Sequence, residues 1–183
     1  MTFSERGLLR AMKQQFKGYG YTVAQTENGL LICCDEWGVG IRDHLVTNGI
    51  KSLIMLHAGK LPTEGCAIYC QKDLISTKLY EMVVDRVRGL MCEKSSQKVL
   101  PARLTMDGMA VWQDPVRLSI FLVDPENQQI CDFGDLDASV VDGALYGNTM
   151  AGVVYVECAN KNDMGPMLHH LEQMQWTALN AED

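Results

Sequence analysis

The sequence lacks any run approaching the ~18 apolar residues that a membrane-spanning helix needs. Its first twenty residues also lack the basic start and small-residue cleavage site of a secretory signal. These two absences predict a cytoplasmic chain with no membrane partner. An excess of cations is missing too, since 16 Lys and Arg stand against 23 Asp and Glu, for a formal net charge of −7. Binding to a phosphate backbone draws its affinity from a basic patch, so nucleic acid is not an expected partner. Lys72, Lys78, Arg86 and Arg88 are interleaved with Asp73, Glu81 and Asp85 and read as one solvated helix face.

Cysteine is present without the spacing of a disulfide framework. The seven residues are an odd number scattered among apolar neighbours, which fits a reducing compartment. Metal knuckles are missing as well: Cys66 and Cys70 would stand roughly 13 Å apart on a strand, and Cys33 and Cys34 would point to opposite faces. No metal and no cofactor is expected. The phosphate-binding loop, the dinucleotide fingerprint, the G-x-S-x-G elbow and the H-E-x-x-H motif are all absent. Asp132-Phe133-Gly134 resembles the magnesium-binding tripeptide of protein kinases, but no catalytic loop or glycine-rich nucleotide loop accompanies it. Asp135 and Asp137 similarly mimic a phosphatase aspartate pair without the apolar strand that should precede it. The acids of residues 132–142 therefore read as a polar loop.

The remaining 47% hydrophobic and 21% charged composition is that of a folded globular chain. Its 183 residues suit one domain, with sub-halves 1–95 and 96–178. Thr2 and Glu5 form a capping-box pattern before Leu8, Leu9, Met12 and Phe16, which predicts a helix ended at Gly18 and Gly20. YTVAQTE, Asn28-Gly29 and LLICC predict a hairpin over residues 21–35, with a strand at Leu30 to Cys34 covered on both faces. A strand from Gly38 to Val46 and a sharp turn at Asn48-Gly49 follow, and IKSLIMLHAG is ambiguous between strand and helix.

GCAIYC predicts a further strand, and Asp73 a cap for a long helix reaching about Cys92. Residues 93–101 read as a linker. The second half opens as a meander: RLTM, the turn Asp107-Gly108, MAVW, then VRLSIFLVD, a turn at Pro125-Glu126-Asn127, and QQICDF. A loose acidic loop from Gly134 to Asn148 leads to the strand AGVVYVEC, and Asp163 and Pro166 open a last helix. The fold class is α+β: mainly antiparallel sheet with about three packed helices. Strand-then-helix order recurs at 65–92 and 152–176, which admits two similar halves.

Two functional readings result. One is a non-catalytic protein-binding or self-assembling domain, drawing on eleven methionines that adapt to varied contact shapes, with a homodimer among its forms. Its predicted binding surface is the face of Gly40, Arg42 and His44 beneath Trp37, which shares the tip between two strands with Asp35 and Glu36. Cys33 is expected opposite Gly40. The other reading is a small enzyme or ligand-binding domain in which His44 or His57 meets acids of the 132–142 loop, among them Asp132, Asp135, Asp137 and Asp142. His169 and His170, adjacent on the last helix, form no metal-spaced pair.

Overall fold

Short apolar runs bounded by turn residues recur along the sequence, and the described residues form fourteen strands around a short helical layer. A computed structural model describes residues 2–78, 97–133, 138–141, 143–149, 152–159 and 172–173. The class is mixed α and β, and every ladder between named strands is antiparallel. Among the described residues no helix is long and apolar enough to cross a membrane.

The first segment is the two-residue strand β1 (Thr2–Phe3), followed by α1 (Glu5–Lys17). Ser4, not Thr2, caps α1: its side chain accepts from the Gly7 amide. Thr2 is instead drawn into β1 by pairing with Asp132. β2 (Tyr21–Thr26) and β3 (Gly29–Cys33) form the expected hairpin, shifted by one residue. Thr26 pairs with Gly29, so Glu27 and Asn28 make the turn; neither has a positive φ.

β4 (Trp37–Arg42) ends earlier than predicted, because Asp43–Leu45 wind into a 3-10 turn. Asn48-Gly49 is not a hairpin turn. Thr47 accepts from the Ile50 amide and starts α2 (Asn48–Ala58), which resolves the ambiguous segment as helix. β5 (Ala67–Gln71) follows.

Asp73 is another correction. It adopts φ +67 in a tight turn between β5 and β6 (Leu74–Lys78), because Gln71 pairs with Leu74. An aspartate tolerates this left-handed turn position as well as a cap, and the partner strand decides between them. The rest of that expected helix, residues 79–92, lies outside the described residues. The expected linker also changes: Gln97–Lys98 is strand β7 and Leu100 begins β8 (Leu100–Met106).

Three strands of the meander form, with β9 (Met109–Gln113) and β10 (Ile120–Val123) in the order β10-β9-β8, but β10 begins only at Ile120 and the QQICDF segment pairs with β1 instead of joining this sheet. Asp107 and Gly108 both take positive φ, as a primed hairpin turn requires. α3 (Pro125–Gln128) is one turn capped by Asp124, and β11 (Cys131–Asp132) follows it. Part of the expected loose loop is sheet: β12 (Ser139–Val141) and β13 (Ala144–Thr149) pair with one another, and β14 (Gly152–Glu157) completes the ladder. The last predicted helix, opened by Asp163 and Pro166, falls almost wholly outside the described residues.

The large sheet runs β6-β5-β2-β3-β4-β14-β13-β12-β7. Strands from residues 21–78 thus form one block and those from residues 97–157 the other, joined at β4 and β14. One face carries Tyr21, Val23, Ile32, Trp37, Val39 and Ile41, buried with Leu8 and Met12 of α1, Ile50 and Ile54 of α2, and Trp112 and Val123 of the small sheet. The opposite face gathers Ala24, Cys33, Ala67, Ala144 and Tyr155 in a second cluster. Leu30, Ile32 and Cys33 are buried and Leu31 half-buried, so β3 is covered on both faces, as expected of an unalternating apolar run.

Candidate functional site

Strand alternation decides where the four expected binding residues go. Trp37 shares a face with Val39 and Ile41, all in the main core, and its ring is 0% exposed. Gly40 lies on the other face, three residues along, where Leu31 Cδ2 would stand 3.1 Å from an added Cβ. Arg42 and His44 are exposed, His44 within the 3-10 turn rather than on the strand. Gly40 and Arg42 thus keep one strand face, while Trp37 lies on the other and His44 beyond the strand. The loop is shorter than a protruding tip, since the Cys34 amide donates to the Trp37 carbonyl at 2.9 Å. Cys33 consequently faces Gly38, and Leu31 faces Gly40.

Of the alternative grouping, His44, His57 and Asp132 fall within the described residues. His57 sits on the inner side of α2, where the Phe16 ring stacks on it at 3.8 Å between centroids and Tyr21 meets it edge-on. A hydrogen bond of 2.8 Å joins the Tyr21 hydroxyl and His57 Nδ1. Asp132 is held in the β1–β11 ladder, and Asp135, Asp137 and Asp142 lie outside the described residues. Among the described residues no group of three or more His, Cys, Asp or Glu comes within metal-binding reach.

Burial shapes the chemistry of this inner cluster. It pushes the Tyr21 hydroxyl pKa well above its ordinary value and the Cys70 thiol up to about 11. Cys34 is pushed up to about 12 for the same reason. A thiol held protonated is a poor nucleophile, so Cys34 and Cys70 act as packing groups. Cys66, by contrast, is exposed.

His57 has its pKa lowered, first by desolvation and then by the Lys13 ammonium. A folded pKa below the unfolded one means that the unfolded chain binds the proton more readily. This residue's stabilising contribution is complete above the ordinary histidine value of about 6.5 and is lost as pH falls through that value toward the folded pKa. Thermal melts between pH 8 and pH 5 should show wild-type stability declining below that point and the decline flattened in His57→Gln. Equal slopes for the two proteins would contradict the assignment.

The solvent side of α1 carries a feature that composition conceals. Arg6, Arg10, Lys13 and Lys17 recur at helical spacing and are all exposed. Arg10 donates to the neutral amide of Gln129 at 3.2 Å, and Arg6, Lys13 and Lys17 make no ion pair among the described residues. The acid of this helix, Glu5, accepts instead from the Thr47 hydroxyl at 2.7 Å. Glu5, Arg6, Leu9, Arg10 and Lys13 line an open depression of about 590 Å³.

α1 and α2 run side by side in the same direction. Glu5 meets Thr47 near their starts, and Phe16 stacks on His57 near their ends. At the latter end large apolar side chains stand in water: Leu56 is 77% exposed, Met55 47%, and Tyr19, just beyond α1, 83%. The signal for this face was present in ERGLLRAMKQQFK, where one helical turn separates each cation from the next.

Comparison with protein-family models, curated proteins and solved structures returns no match.

Proposed function

We propose that this chain is a non-catalytic protein-binding domain that engages its partner through the exposed side of α1 and α2. The exposed Leu56 carries the reading, supported by Met55 beside it and Tyr19 at the same end of the helix pair. Isolated apolar residues on a surface are ordinary, but a group gathered at one end of two packed helices marks an association surface. Tyrosine and methionine are among the residues enriched at such contacts. Self-assembly and binding of a different protein both use this surface, and solution measurements separate them.

The test places a photo-crosslinking amino acid at position 56 in cells expressing the chain, and at exposed Glu27 as the control, alongside sedimentation velocity of the purified protein. The expected result is a discrete protein adduct from position 56 that is lost on Tyr19→Asp/Met55→Asp, or a concentration-dependent dimer that is lost in Met55→Asp/Leu56→Asp. A strict monomer that gives no more adduct from position 56 than from position 27 overturns the proposal.

A further inference from the structure

Building on the protein-binding reading above, we infer that the α1 side of this surface is a dock for an acidic, amphipathic segment of the partner protein. Four cations on one helix face, none of them in an ion pair among the described residues, are a concentrated positive charge on an acidic chain. From Arg6 to Lys17 the stripe spans about 16 Å, roughly three helical turns. Beside it the depression offers half-buried Leu9 under the rims of Arg6, Arg10 and Lys13. Across the helix pair, a Cβ at Gly49 would stand 2.5 Å from Glu5 Oε1 and 3.6 Å from Leu9 Cδ1, so α2 packs closely against this side of the depression.

The shape of the charge selects the occupant. The stripe is one helix wide. On its α3 side the Gln14 amide donates to Glu126 Oε2 at 3.1 Å, and Glu5 lines the other side, so carboxylates border it. A duplex or an anionic bilayer is broader than the stripe and would bring its phosphates over these acids. A single helical segment with acids on one flank and apolar residues on the other fits between them. Its carboxylates meet Arg6, Arg10 and Lys13 while its apolar residues reach Leu9 and the Leu56 end.

The probe is a fluorescent synthetic helix of about four turns, with glutamate along one face and leucine along the other. It is compared with a peptide carrying glutamine for every glutamate. Fluorescence anisotropy should detect binding of the glutamate peptide that weakens about tenfold in Arg6→Glu/Lys13→Glu and falls with added salt. The neutral variant Arg6→Gln/Lys13→Gln/Lys17→Gln should weaken binding in the same direction. Lys98→Glu, a charge reversal at an exposed site away from α1, should leave it unchanged. Circular dichroism confirms that each variant is folded.

Equal binding of both peptides, or of wild type and the reversed variant, overturns the inference. So does tighter binding to phosphatidylserine vesicles or duplex DNA than to the peptide. If Tyr19→Asp/Met55→Asp abolishes the crosslink at position 56 while the stripe variants do not diminish it, the acidic-segment inference fails and the protein-binding reading stands.

Discussion

Trp37→Ala is expected to lower stability by about 3–5 kcal/mol, the range for removing a buried large aromatic side chain. Trp37 is 0% exposed and packs in the cluster that holds Leu8, Met12, Ile50 and Ile54 together. Truncation therefore opens a cavity at the place where β4, α1 and α2 share one core. The melting temperature should fall on the order of 10 °C for a chain of this length. Chemical denaturation followed by circular dichroism checks the free energy directly.

Trp37→Phe should cost much less, about 1–2 kcal/mol. Buried Trp37 Nε1 finds no acceptor among the described residues, so phenylalanine removes an unsatisfied donor while retaining much of the apolar ring. Equal losses for alanine and phenylalanine would show that the indole N–H, rather than ring volume, controls this site.

The other large effect is expected at the junction of the two strand blocks. Gly38 pairs with Tyr155 across β4 and β14, and a Cβ added at Gly38 would stand 2.2 Å from the Tyr155 ring. Tyr155 is 1% exposed and has no open side to move into without disturbing its neighbours. Gly38→Ala should destabilise by about 1–3 kcal/mol, the usual range for overpacking. In a Tyr155→Ala background the same added methyl group should cost little, because the ring it meets is gone. A double-mutant cycle from urea melts measures that coupling, and additive losses would place the strain elsewhere.

Gly152 reinforces the constraint from the neighbouring strand. With φ +149 and an added Cβ only 1.8 Å from the Gly40 carbonyl oxygen, it lets β14 begin close against β4.

Local chemistry was the legible part of this fold. Leu8, Met12 and Phe16 at helical spacing announce α1, and Asp107-Gly108 announces its hairpin, because each signal is complete within a few residues. The misreadings arise where a distant segment supplies the deciding partner. Thr2 is an eligible cap until Asp132, far along the chain, draws it into a strand; Asp73 is the local exception, decided when Leu74 pairs with Gln71 three residues back.

Trp37 is instructive because its alternation with Val39 and Ile41 was visible. Two adjacent acids made it look like part of an exposed turn, and only the Cys34 to Trp37 backbone bond shows that the strand has already begun. The cationic face of α1 was equally visible in its spacing. An overall charge of −7 concealed it, since net charge says nothing about where each sign resides.

The β4–β14 junction also sets an order of events at synthesis. β2, β3 and β4 can pair as soon as they emerge, but the outer edge of β4 must wait for a strand encoded about 110 residues later. At ordinary translation rates of about 5–20 residues per second, that delay is roughly 6–22 s. During it the backbone of Trp37 to Arg42 offers unpaired donors and acceptors to any other extended segment nearby. The nascent amino-terminal block is thus most open to mispairing at the very edge that later unites the sheet.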